Sequence, residues 1–225
     1  MINTLKDYIS DSLPREGRFV TNANLRKKVD ERGALLPFFG NTVVYLLDDA
    51  TKRTLKSLQD ELYAAAPEAF AEPLPEDSFH MTAHDLANAP ENSPELRARM
   101  VEAEEKAVAL VREVLPAQPL AMKATWTFNM VDISVVLGLE PADAESREAL
   151  SRLYVALEKA VPLGYALTPH ITLAYFRPGV YERETVDRLR GALRPVDSTL
   201  TLQPENLVLQ EFESMSVYKT LRGWV

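Results

Sequence analysis

Cysteine is missing from all 225 positions, which removes disulfides, thiolate nucleophiles and cysteine-ligated zinc or iron–sulfur centres at once and fits a reducing compartment. Long apolar runs are missing too. None approaches the roughly 20 residues that cross a bilayer, and the segment from Met1 to Asp11 carries Lys6, Asp7 and Asp11 where a signal peptide needs an apolar stretch. A cytoplasmic protein that does not engage a membrane is expected. Basic residues are in deficit, 25 Lys and Arg against 33 Asp and Glu, giving a net charge of −8 and a pI near 5.1. A broad electrostatic grip on long nucleic acid needs a clustered cationic surface and is not expected. A small phosphorylated ligand is compatible, because a few hydroxyls, backbone donors and one or two cations can hold it within an acidic molecule.

Histidine is scarce as well, with 3 copies, and two of them head matching tetrapeptides. His80-Met81-Thr82-Ala83 and His170-Ile171-Thr172-Leu173 both read histidine, apolar, threonine, apolar. In an extended strand side chains alternate between faces, so each tetrapeptide sets an imidazole and a hydroxyl on one side and two apolar groups on the other. The surroundings repeat too. A strand-like run lies 39 residues before each histidine (Asn41 to Leu47, and Val131 to Leu137), with one helical segment in between. A unit of strand, helix and histidine strand therefore occurs twice at an offset of 90 residues, which we read as an old duplication.

The rest of the chain organises around these units. Residues 1–40 read as an N-terminal extension packed on the domain, with a short helix near Leu5 and a turn at Pro14 to Gly17. A helix from Asp49 to about Ala66, a loop from Pro67 to Pro75 and the first histidine strand, Phe79 to His84, follow. A long charged helix runs to about Val114. Pro119 to Phe128 and Val131 to Leu139 alternate as half-covered strands, joined by a hairpin turn at Asn129 and Met130. After a helix from Ala142 to Ala160 comes the second histidine strand, His170 to Phe176. A helix (Glu182 to Leu193) and two strands (Leu200 to Leu202, Leu207 to Tyr218) complete an α+β chain with antiparallel sheets.

Two imidazoles facing one another across a cleft can divide acid and base duties near neutral pH. Phosphodiester cleavage calls for that pair. One imidazole takes a proton from water or a ribose hydroxyl as it attacks phosphorus, and the other protonates the departing oxygen. A threonine hydroxyl on the same face can donate to a non-bridging oxygen as charge builds there. Neither metal nor other cofactor is called for.

The doubled motif resembles the signature of the two-histidine (2H) phosphoesterase superfamily, and both copies match in full. The resemblance spans roughly residues 41–225, and the leading run Pro37-Phe38-Phe39-Gly40-Asn41-Thr42 resembles an uncharacterised microbial branch. It implies two pseudo-symmetric lobes forming a central cleft with helices outside. It implies His80 and His170 as acid and base, Thr82 and Thr172 as phosphate binders, and action on 2′,3′-cyclic phosphates, 2′-5′ linkages or related small phosphodiesters; a monomer is expected. The two motifs are equivalent, so neither histidine is assigned to acid or base.

Strand parity nominates further substrate-binding positions: Ser134, its counterpart Thr42 (or Val44), Phe176 as a base-stacking ring and Lys123 as a cation. Tyr175, of opposite parity, reads as core. His84 shares the parity of His80 and Thr82, but four residues of strand span roughly 13 Å, too far for two ligands of one ion, so it reads as a strand-end residue at the rim. Two rivals accompany the enzyme reading. One is a nucleotide-binding or sensing module that uses the same cleft without turnover, and the other is a metal-dependent hydrolase.

Overall fold

The computed structural model describes residues 2–8 and 12–224. In chain order its elements are α1 (Leu5–Tyr8), β1 (Phe19–Val20), β2 (Phe39–Leu46), α2 (Asp49–Ala65), β3 (His80–Ala89), α3 (Pro94–Val114), β4 (Leu120–Met130) and β5 (Ser134–Pro141). They continue with α4 (Ala144–Ala160), β6 (His170–Tyr175), β7 (Val180–Tyr181), α5 (Arg183–Ala192), β8 (Thr199–Leu202), β9 (Leu207–Phe212) and β10 (Tyr218–Gly223).

The helices begin where the side chains can satisfy the free N–H groups of a first turn. Asp48 accepts from the Thr51 N–H at 2.8 Å, Ser93 from Leu96 at 3.2 Å ahead of Pro94, and Asp143 from Ser146 at 2.7 Å. Eight strands form one antiparallel sheet in the order β10-β9-β2-β3-β6-β5-β4-β8. The class is thus α+β, as expected, and the order is itself two-fold. Strands β10-β9-β2-β3 make one half and β6-β5-β4-β8 the other, meeting where the histidine strands pair at Met81 and Ile171. The repeated unit therefore supplies only β2 and β3 of its half. The outer strands β9 and β10 come from the end of the chain.

Helices α2 and α4 lie between the first and second strands of their units and pack across the junction, α2 against β6 and α4 against β3. Their partners α5 and α3 lie alongside them. The core sits between sheet and helices, where Tyr45, Met81, Ile171, Leu173, Leu62 and Leu157 are closed to solvent. Each such side chain contributes about 1.5–3 kcal/mol on burial. Segments before β2 join this core as well: Leu25 and Val29 are fully buried, and Phe19 pairs with Tyr181 across β1 and β7.

Two local expectations are corrected. The run from Leu207 to Tyr218 folds back as β9 and β10, with a turn through Ser214 to Ser216 closed by the Glu213 N–H on the Val217 carbonyl at 3.1 Å. The β4–β5 turn falls at Val131 and Asp132, not at Asn129 and Met130. Both adopt positive φ, 46° and 61°, and the Ile133 N–H donates to the Met130 carbonyl, as in a type I′ turn. Asn129 and Asp132 bond side chain to side chain at 2.7 Å, which draws Asn129 into the strand end. A β-branched residue in the left-handed region is strained. Val131 is 48% exposed, so it gives up little packing when truncated. Val131→Gly is expected to stabilise the protein by about 1 kcal/mol, raising Tm by about 2–4 °C in a thermal melt. An unchanged or lower Tm would show that the strain is offset elsewhere.

Candidate active site

Met81 and Ile171 oppose one another at the centre of the sheet, and both turn into the core. Their neighbours therefore turn the other way. His80, Thr82, His170 and Thr172 all line one cleft of about 240 Å³ on the face opposite the helices. The two histidine strands run antiparallel through the Met81–Ile171 pair, so the two imidazoles project from facing strands into the same cleft.

The imidazoles are held in the same way. Nδ1 of His80 lies 2.8 Å from the Ser78 carbonyl oxygen, and Nδ1 of His170 lies 2.7 Å from that of Thr168. A carbonyl only accepts, so each Nδ1 carries the proton, and each Nε2 of the neutral ring presents a lone pair to the cleft. Burial lowers the proton affinity of both rings. His80 is drawn down to about 4, with the Ser78 bond and the Asp85 charge opposing the shift and His170 adding to it. His170 is also lowered, first by burial, against the Thr168 bond and Asp85 and with a contribution from Lys28. Both rings are therefore neutral at pH 7 in the free protein. The hydroxyls of Thr82 and Thr172 make no side-chain hydrogen bond among the described residues.

Beyond each motif the strand alternation breaks. On β3, Val44 pairs with Thr82 and Val43 with His84, so Ala83 is an extra residue; on β6, Val136 pairs with Thr172 and Val135 with Ala174, so Leu173 is extra. These are β-bulges at equivalent places, and each reverses which face the following residues present. Three expectations are corrected on that account. Tyr175, not Phe176, faces the cleft. Phe176 is fully buried between Phe19, at 4.9 Å, and Phe70, at 5.6 Å. His84 is not at the rim but buried on the helix side, with Nδ1 at 2.5 Å from the Asp85 carbonyl and Nε2 at 3.1 Å from Glu158 of α4. Asp85 takes the cleft position in its place.

Of the other predicted residues, Ser134 and Thr42 line the cleft. They are counterparts, since Thr42 pairs with Asp85 and Ser134 with Tyr175. The Thr42 hydroxyl donates to the His84 carbonyl at 3.0 Å. Lys123 is exposed on β4, paired with Glu140 and Thr199, and is not among the cleft residues. The cation that does line the cleft is Lys28, from the segment before β2. An aromatic wall was also missed. The Tyr218 ring meets His80 edge-on at 4.8 Å, Phe212 lies 5.7 Å from Tyr218, and Phe38 stacks on Phe212 at 6.2 Å. Burial pushes the Tyr218 phenol well above its ordinary range, so it stays a hydrogen-bond donor. No local pattern marks Lys28 or Tyr218 as site residues, because strand pairing and a distant turn bring them to the cleft.

Residues 28–130 match the 2H-phosphodiest family model, described as a domain of unknown function (DUF1868). Among curated proteins no sequence matches the chain. The fold is similar to a conserved protein of unknown function, ATU0111, from Agrobacterium tumefaciens, with a TM-score of 0.67 at 19% identity over 99% of this chain and 100% of that one. It is also similar to TT0787 of Thermus thermophilus, with a TM-score of 0.55 at 16% identity over 81% of this chain and 95% of that one. E. coli LigT complexed with 3′-AMP gives 0.51 at 16% identity, covering 82% of this chain and 96% of that one. Residues 28–130 thus match a 2H-phosphodiest family model, and the fold of the chain is similar to those of ATU0111, TT0787 and E. coli LigT.

Proposed function

We propose that the protein is a metal-independent phosphodiesterase that opens a small nucleotide phosphodiester, of the 2′,3′-cyclic phosphate or 2′-5′ type, with His80 and His170 as the acid–base pair. The observation that carries this reading is the matched pair of neutral imidazoles, each pinned at Nδ1 by a backbone carbonyl and each offering Nε2 to one cleft beside a free threonine hydroxyl. The family-model match over residues 28–130 and the fold support phosphoesterase chemistry in general. E. coli LigT has been seen with 3′-AMP, ATP and NADP+, which supports a nucleotide as the ligand class for a fold of this kind.

In the step this geometry allows, one Nε2 removes a proton from water or a ribose hydroxyl as its oxygen forms the new bond to phosphorus. The opposite ring, as imidazolium, gives its proton to the oxygen whose bond to phosphorus breaks. Thr82 and Thr172 donate to the non-bridging oxygens, where negative charge gathers. The acid needs a proton that burial withholds from it in the free protein. The phosphodiester anion supplies the remedy, since a negative charge within about 5 Å favours the charged ring.

The pH dependence follows with its sign. Because burial lowers both histidines, kcat/KM, which reports the free protein, is expected to peak between about pH 4 and 6.5 and to fall on both sides. The kcat profile, which reports the bound state, is expected to be displaced to higher pH. Both are read by product analysis, with chelator present, on 2′,3′-cyclic nucleotides and 2′-5′ dinucleotides. A kcat/KM that rises steadily to pH 9, or turnover that chelator abolishes, would exclude the histidine pair as the acid–base couple.

A further inference from the structure

Lys28 and Asp85 are the charged residues that line the cleft, and they sit differently. Asp85 follows the first bulge, and its charge acts on both histidines and on Tyr218. Lys28 acts on His170. Its ammonium rests 5.0 Å from the Phe38 ring centroid and 5.7 Å from that of Tyr175, and it forms no ion pair among the described residues. Two aromatic faces attract a cation without cancelling its charge, so the positive charge remains available to an anion.

The backbone that carries Lys28 is fixed. It ends a short 3-10 turn, Ala23–Lys27, with its N–H on the Leu25 carbonyl and its carbonyl accepting from Leu36, each at 2.8 Å. Leu25 and Val29 anchor it in the core. Asn22 clamps the same segment to the β4–β5 turn at the rim, through its side chain on the Val131 carbonyl at 3.1 Å and its N–H on the Asp132 carbonyl at 2.9 Å. Position along β6 then separates this cation from the reacting centre. The reacting phosphate belongs among His80, Thr82, His170 and Thr172. Tyr175 lies three residues past Thr172, roughly 10 Å of strand less what the bulge takes up.

We propose that Lys28 anchors a second anion subsite, which takes a phosphate other than the one that reacts, so that the cleft selects nucleotides that also carry a 5′-phosphate. This rests on the reading of the cleft as a nucleotide phosphodiester site. The aromatic wall of Phe212 and Tyr218, which continues through Phe38 beneath the Lys28 ammonium, supplies stacking surface for the base.

Binding separates this inference from catalysis. In calorimetry the full chain is expected to bind adenosine 3′,5′-bisphosphate about tenfold or more tightly than 3′-AMP, in line with one charge-assisted contact. Lys28→Met, which keeps the apolar stem against the rings, is expected to erase that preference while leaving 3′-AMP affinity within about twofold, and Lys28→Arg to retain it. Absence of a preference in the unaltered chain would overturn the proposal. So would an equal loss for both ligands in Lys28→Met, which would instead assign the cation to the reacting phosphate. Turnover of 2′,3′-cyclic nucleotides, measured alongside, reports on the phosphodiesterase reading alone.

Discussion

His80→Ala and His170→Ala are each expected to lower kcat about a thousandfold on whichever 2′,3′-cyclic or 2′-5′ substrate the protein turns over, within the range of 10²–10⁴ that a positioned acid or base contributes. The double variant should be little worse than either single one, because proton removal and proton donation act within one step. Each ring also has a structural surrounding: His80 packs edge-on against Tyr218, and both are partly covered. His80→Gln and His170→Gln keep much of that volume and guard against a trivial loss through unfolding. The chemical role is read by pairing turnover with 3′-AMP binding. Turnover should collapse while affinity changes by no more than about threefold, and the pH limb belonging to the missing group should vanish. Either variant keeping more than a tenth of the activity would remove that histidine from the mechanism. Tight nucleotide binding by the unaltered chain with no product after long incubation would favour a binding module in the same cleft.

Gly40→Ala is expected to have the largest effect on stability of any single methyl added to the sheet. Gly40 lies on β2 between Asn88 of β3 and Phe212 of β9. A Cβ there would lie far inside contact distance of the Ala87 carbonyl oxygen, 2.6 Å from Cζ of Phe212 and 2.9 Å from Cβ of Asn88. The first obstacle is backbone held in a ladder, so a rotamer change cannot relieve it. Overpacking of this kind costs about 3 kcal/mol, a fall in Tm of about 6–12 °C for a chain of this size. Asn88 and Phe212 both line the cleft, so nucleotide affinity should fall with stability. A Tm within 2 °C of the unaltered protein would mean that β2 and β9 separate there without penalty.

The parts of the site that were legible from the sequence share one property: they depend on the period of a strand over three residues. His80 with Thr82 and His170 with Thr172 share a face because only one residue separates them, and both pairs reach the cleft. Ser134 and Thr42 followed from the same rule. Helix starts were legible because Asp48, Ser93 and Asp143 act within their own first turns. The rule failed at the next step along both strands. Ala83 and Leu173 look like ordinary inward apolar residues, yet each is the extra residue of a bulge, and a bulge exists only relative to the partner strand. That inverted Tyr175 with Phe176 and His84 with Asp85. Lys123 failed for a different reason: the alternation of β4 does expose it, but it pairs with Glu140 and Thr199 and is not among the residues that line the cleft.

The chemical inventory and its local presentation are written in the chain: two imidazoles, two hydroxyls, the offset of 90 residues between them and the alternation that exposes them. Long-range folding alone decided that β9 and β10, from the far end of the chain, complete the first half of the sheet. Only it decided that Lys28 and Tyr218 flank the histidines and that Asp85 and Tyr175 take the positions beyond the bulges. The physical reason is that propensity and periodicity act between neighbours in the chain. Strand pairing and cleft lining join backbone groups and side chains through contacts that local sequence does not encode.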